Sequence, residues 1–156
     1  MDANDLLARF WRELGQLRTG MLGLASEDGS HAHPMTAHFE GEHGPLWFYA
    51  RRDSGLVQRS EASHPAVFHY VAKGHDLYAC VHGDIHTVRD RSVVTRFWSE
   101  EVGRWYPGGQ DDPDLALLRF DPSSAQIWCP DHGDQPKLYG MDKPPRPVDI
   151  HAEVRL

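Results

Sequence analysis

Two neighbouring stretches alternate residue character with the period of a β-strand rather than a helix. From Ala66 to Ala72, Val67, His69 and Val71 share one face while Phe68 and Tyr70 share the other. Leu77 to Val88 follows after the short turn Lys73-Gly74-His75-Asp76, so the two stretches read as a pair of antiparallel strands. Gly83, inside the second stretch, is the mark of a bulge. A chain built around long alternating strands must bury one face of them, which commits it to a sheet-based core.

The remaining segments fit that frame. Leu6, Leu7, Phe10, Trp11, Leu14 and Leu17 recur at helical spacing, with Asp2 or Asn4 as cap and Gly15 or Gly20 as stop. Thr19 to Ala25 reads as a strand, turned at Asp28-Gly29 into a partner from His31 to Glu40. Pro34 in that partner predicts an edge position or a bulge, since proline cannot donate to a ladder. Leu46 to Ala50 is the third strand. A short helix follows, capped by Asp53 or Ser54, with Leu56 and Val57 on its apolar side and Pro65 beyond it.

Arg91 to Tyr106 reads as one long helix with Val94, Phe97, Trp98, Val102 and Trp105 on a face, ended by Pro107-Gly108-Gly109. Leu115 to Phe120 and Ala125 to Cys129 read as the last two strands, separated by Asp121-Pro122. From Pro130 onward the chain is polar and Pro-rich. The domain is expected over residues 1–130, with residues 131–156 a tail that wraps the surface or is partly disordered. About six strands with few, peripheral helices make a mainly β fold, a barrel or sandwich.

Composition narrows the function. At 156 residues and 40% hydrophobic content, the chain can bury a proper core without disulfide or metal staples. Its longest apolar runs, Leu46 to Ala50 and Leu77 to Val81, fall far short of the ~20 residues of a spanning helix. A net charge of -7 disfavours a nucleic acid partner. The acidic start Met1-Asp2-Ala3-Asn4-Asp5 leads into an amphipathic segment, and Cys80 and Cys129 form no CxxC, so free thiols in the cytoplasm are expected.

Four constellations could carry chemistry. His31 with His33, and His82 with His86, share strand faces, but no ligand motif accompanies them and no metal is expected. A Cys80–His82 pair lacks the setting of a nucleophile, and a buried thiol is the commoner role. Arg51-Arg52-Asp53-Ser54-Gly55, between a strand end and a helix start, is either an anion site or an ordinary turn with solvated arginines. The aromatics Trp47, Phe48, Tyr49, Trp98, Trp105 and Tyr106 are either core or one wall of a flat ring pocket. No general acid or base is readable from spacing.

The order of these pieces carries a resemblance. Leu17-Arg18-Thr19-Gly20-Met21-Leu22, Asp28-Gly29, His33-Pro34-Met35, Leu46-Trp47-Phe48-Tyr49 and Arg52-Asp53-Ser54 together resemble the general stress proteins of the pyridoxamine 5'-phosphate oxidase-like superfamily. Trp105-Tyr106-Pro107-Gly108-Gly109, Asp112-Pro113-Asp114-Leu115 and Leu117-Leu118 are similar to the C-terminal signature of the same group.

The resemblance implies a split β-barrel, a homodimer, and FMN bound at the dimer interface by a flavin-dependent oxidoreductase. It implies that His33, Pro34, Met35 and Thr36 hold the cofactor together with Phe48, Tyr49, Ala50 and Arg51 and the turn residues Arg52 and Ser54. Trp105 of the second subunit would close the pocket. The alternative is a non-catalytic module of the same fold that binds or senses a flavin, a deazaflavin or haem; 11 histidines keep haem open. Two positions depart from the family's habit. His33 stands where arginine is common, and Leu56 where lysine is common, so both remove positive charge from the phosphate end.

Overall fold

The computed structural model describes residues 2–26, 31–129 and 150–156. The Asp28-Gly29 turn and the prolines from Pro130 to Pro147 lie outside the described residues. In chain order the elements are α1 (Ala3–Gln16), β1 (Thr19–Leu24), β2 (His33–Thr36), β3 (Leu46–Arg51), α2 (Gly55–Arg59), β4 (His64–Val71) and β5 (Tyr78–Val88). They continue with α3 (Arg91–Phe97), α4 (Glu100–Gly103), a 3-10 turn (Gly109–Asp111), β6 (Leu115–Cys129) and β7 (Ile150–Arg155).

The strands form one antiparallel sheet in the order β2-β1-β4-β5-β6-β3, with β7 added beside β6. The sheet curls into a barrel that stays open between β2 and β3, the two ends of the path. The alternation of β4 holds: Phe68 and Tyr70 are buried inside while Val71 on the other face is exposed. Phe10, Phe48, Phe68 and Phe120 fill the interior with Leu and Ile neighbours, and α1 closes one end by its Leu6, Phe10, Trp11 and Leu14 face. Asp2 starts α1 through a capping box with Asp5. The helix ends at Gln16, where Leu17 is already extended.

Four expectations change. The 91–106 segment is two helices, because Trp98 is extended and Ser99 caps a new start by accepting the Val102 N–H. The break lets the Trp98 ring meet Tyr49 at 5.9 Å and leaves Trp105 75% exposed, off the packed face. The strand expected over 31–40 is only His33–Thr36. The two strands expected either side of Asp121-Pro122 are a single β6. Pro122 pairs with Gly83, where the β5 register shifts between His82 and Gly83, so the missing proline N–H falls where the ladder is already irregular. Finally, β7 adds a seventh strand from within the expected tail, partnering β6 from Ser124 to Cys129.

Gly83 is required by this crossing. A Cβ there would meet the Asp121 carbonyl oxygen at 2.3 Å, which is backbone and cannot swing aside. Gly83→Ala should therefore cost about 1–3 kcal/mol, as overpacking does, read as a lowered urea midpoint. An unchanged midpoint would show that β5 and β6 tolerate separation at the slip.

Candidate functional site

The opening between β2 and β3 is spanned at one point. His38 N–H donates to the Trp47 carbonyl and Trp47 N–H to the His38 carbonyl, both at 2.8 Å. In an antiparallel strand alternate residues face the same neighbour, so the Tyr49 peptide groups and the Arg51 N–H also turn toward the gap, while the Arg51 carbonyl accepts the Ser54 N–H at 3.0 Å. On the other side Ala37 N–H donates to the Arg18 carbonyl at 2.8 Å, which fixes residue 37 toward β1 and turns Thr36 and Pro34 toward the gap. Pro34, with no N–H to lose, sits on this edge strand at no cost. The gap is therefore edged by backbone donors and acceptors that the sheet itself does not use.

The structure gathers some of the expected site residues and disperses others. His33, Pro34 and Thr36 are exposed along β2, while Met35 is half-buried against the main core. Phe48 and Ala50 turn their side chains into the barrel interior. The Tyr49 side chain points outward, where its hydroxyl donates to the Val94 carbonyl at 2.7 Å and ties α3 to the barrel. Burial pushes that phenol up to about 12, so it remains a donor at any ordinary pH.

At the end of β3, Arg51 is exposed between Asp53 at 3.2 Å and Asp114 at 3.6 Å. The Asp53 hydrogen bond and charge, with Asp114 behind them, hold its guanidinium firmly cationic. Arg52 is committed differently: it donates to the Pro113 carbonyl at 3.2 Å and the Leu115 carbonyl at 2.7 Å, pinning the turn to the start of β6. The Ser54 hydroxyl accepts the Val57 N–H at 3.2 Å and caps the five-residue α2. Leu56 is 8% exposed within the main core, so the residue after the turn is an apolar anchor and not a cation. Trp105 is 75% exposed and makes no ring contact among the described residues. Thus β2 and the end of β3 converge on the gap.

His38 is the residue that sequence reasoning passed over. One histidine among 11 gives no signal by itself, and only the bridge to Trp47 singles it out. Its ring is 8% exposed, edge-on to Tyr49 at 5.2 Å and tilted against Phe97 at 5.7 Å. Burial, aided by the charge of Arg18, lowers its pKa from 6.5 to about 4. Elsewhere, Cys80 Sγ lies 3.6 Å from His82 Nε2, and burial raises the thiol pKa, which keeps it protonated. Among the described residues, no group of three His, Cys, Asp or Glu side chains is arranged to hold a metal ion.

The sequence profile of the pyridoxamine 5'-phosphate oxidase like family matches residues 5–144. The chain belongs to that family. Among solved structures, a general stress family protein from Xanthomonas campestris pv. campestris is 39% identical, with TM-score 0.78 over 94% of this chain and 99% of that one. The general stress FMN/FAD binding protein from Xanthomonas citri is 37% identical, with TM-score 0.78 over 92% of this chain and 100% of that one. General stress protein 26 from Jannaschia sp. CCS1 is 28% identical, with TM-score 0.78 over 98% and 99%. No curated protein sequence matches. The family's neighbours share the split barrel, and the open path between β2 and β3 is the form it takes here.

His38 also generates a pH dependence. The unfolded chain binds a proton below 6.5, while the folded chain resists it down to about 4. The contribution is whole above pH 6.5 and is lost as pH falls toward 4. Between pH 7 and pH 4.5, wild type should lose about 2–3 kcal/mol more than His38→Phe in urea unfolding. Equal losses in the two proteins would place the titration on other groups.

Proposed function

We propose that this chain binds flavin mononucleotide along the split between β2 and β3 and works as a flavin-dependent oxidoreductase in a homodimer. The observation that carries the reading is the split itself, a barrel edge whose peptide groups at Thr36 and Tyr49 and whose Arg51 N–H face outward beside an exposed guanidinium. These groups suit a flavin in kind. Peptide N–H and C=O match the heteroatoms along a flat ring's edge, and the Arg51 guanidinium and His33 imidazole suit a phosphate. The family, and the flavin binding named for the 37% identical Xanthomonas citri protein, support the same reading.

In this assignment Arg51 and His33 hold the phosphate, the backbone at Thr36 and Tyr49 orients the ring, and Met35 offers it an apolar contact. When bound, the flavin supplies hydride or electron transfer at its N5 position. The protein contributes position and charge. Trp105, at 75% exposure, is suited to cover the ring in a second copy. Exposed Met21 and Val71 on the outer sheet face, beside a groove of about 580 Å3 that Tyr78 and Trp128 also line, suit burial between two copies. Cys80 and Cys129, which form no disulfide with one another, suit a reducing cytoplasm.

A second reading draws on the same residues. With Arg52 committed to carbonyls and Leu56 buried, few cations remain for a phosphate. That favours a module that holds a flavin, a deazaflavin or haem without turning over a substrate.

Titration by fluorescence quenching tests the first reading. FMN should bind more tightly than riboflavin, and Arg51→Ala should weaken FMN by about tenfold while leaving riboflavin unchanged. No quenching of either flavin would overturn the assignment, and the absorption spectrum of the purified protein separates flavin from haem. Light scattering should give about twice 17.7 kDa. A clean monomer at micromolar concentration would remove the shared pocket.

A further inference from the structure

A second cleft, of about 530 Å3, opens where the start of β6 meets the end of β5 and α3. That volume lies in the range of small-ligand sites. Its floor is apolar: Val94, Leu115 and Leu117 all belong to the smaller core packed outside the barrel. Of the residues read as a cofactor site, only Arg52 reaches it, and its guanidinium is committed to two carbonyls.

The rim carries three arginines and three aspartates, and all but one already have partners. Asp90 accepts from the Ser92 hydroxyl at 2.5 Å and from the N–H groups of Ser92 and Val93. Asp112 accepts from the N–H groups of Gly108 and Asp114. Arg91 and Asp111 hold one another through two contacts. Arg89 is the exception: it is exposed, it lines the cleft, and among the described residues it has no hydrogen-bonding or ionic partner.

We infer that this cleft binds a small apolar monoanion of the aromatic carboxylate class, with Arg89 as the group that reads its charge. The argument is one of complementarity. A cation would face the guanidiniums of Arg52 and Arg89, and both oxygens of Asp111 and of Asp112 already accept hydrogen bonds. A dianionic phosphate would bring two negative charges beside Asp90, Asp111 and Asp112, with only the Arg89 guanidinium free to bond it, since the Arg52 donors are held by carbonyls. A carboxylate matches that guanidinium in charge and in its two-pronged geometry. A flat hydrocarbon body matches the floor of Val94, Leu115 and Leu117. The inference does not depend on the flavin assignment, since no group facing the split takes part.

The test uses the full chain without added flavin and compares 2-naphthoate with its uncharged isostere 2-naphthamide. Binding is followed by amide NMR shifts. Both probes should perturb residues 88–94 and 110–117, and the acid should bind about five- to tenfold more tightly. Arg89→Gln should bring the acid down to the affinity of the amide and leave the amide unchanged. The unchanged amide reports that the cleft is intact. Equal affinity of acid and amide in wild type, a preference that survives in Arg89→Gln, or shifts confined to other residues would each overturn the inference. Flavin titration of the same variant should match wild type, which separates failure here from failure of the flavin reading.

Discussion

The ladder between β5 and β6 sets the place of every other strand. It runs from Val88 opposite Leu117 to Tyr78 opposite Trp128, with a single slip at Gly83. Because β6 is so long, its other edge can serve two strands in succession, β3 along Leu115–Phe120 and β7 along Ser124–Cys129. The outer edge of β3 therefore faces nothing in the ladder. The chain end of the path on the other side, β2, is only four residues long and is held to β1. What remains between them is a gap crossed by one residue pair, and unused peptide groups edge it. The split follows from strand length and register, not from any one side chain.

Tyr49 links this gap to the helices outside the barrel. Its peptide turns to the gap, while its hydroxyl holds the Val94 carbonyl of α3 and its ring meets His38 and Trp98. A second, smaller core of Trp47, Val93, Val94, Val102, Tyr106, Leu115 and Leu117 lies under those helices. The gap and the second cleft are thus separate openings at the margins of two packed layers. Moving α3 would disturb both, through Tyr49 on one side and Val94 on the other.

Charge near the gap is spent largely on structure. Arg52 holds the turn to β6, and Arg51 is shared between two aspartates. At the other end of the barrel, Arg9 joins α1 to the β4–β5 turn by donating to Asp76 at 2.8 Å. Leu56, just beyond the turn that Arg52 holds, is buried in the core and adds no charge. A phosphate in the split would meet one strong cation, Arg51, and the imidazole of His33.

Local patterns were enough to read much of this molecule. The alternation in β4 and β5, the helical face of α1, the proline on an edge strand and the cap at Ser54 are all set by near neighbours, because side-chain direction and cap geometry are decided within a few residues. The order of motifs such as His33-Pro34-Met35 and Arg52-Asp53-Ser54 was legible for the same reason, and with it the family. Other features depend on partners far along the chain, and these only the tertiary structure decided. Asp121-Pro122 looks like a strand break until Gly83 lies opposite it. Residues 91–106 look like one helix until Tyr49 and Tyr106 offer the Trp98 ring a place to pack. Arg52 looks like a free cation until the carbonyls of Pro113 and Leu115 reach it, and His38 looks like any other histidine until Trp47 pairs with it. Sequence determined which way side chains face along each regular strand and along α1; pairing across the sheet determined which backbone groups and charges were left over to form a site.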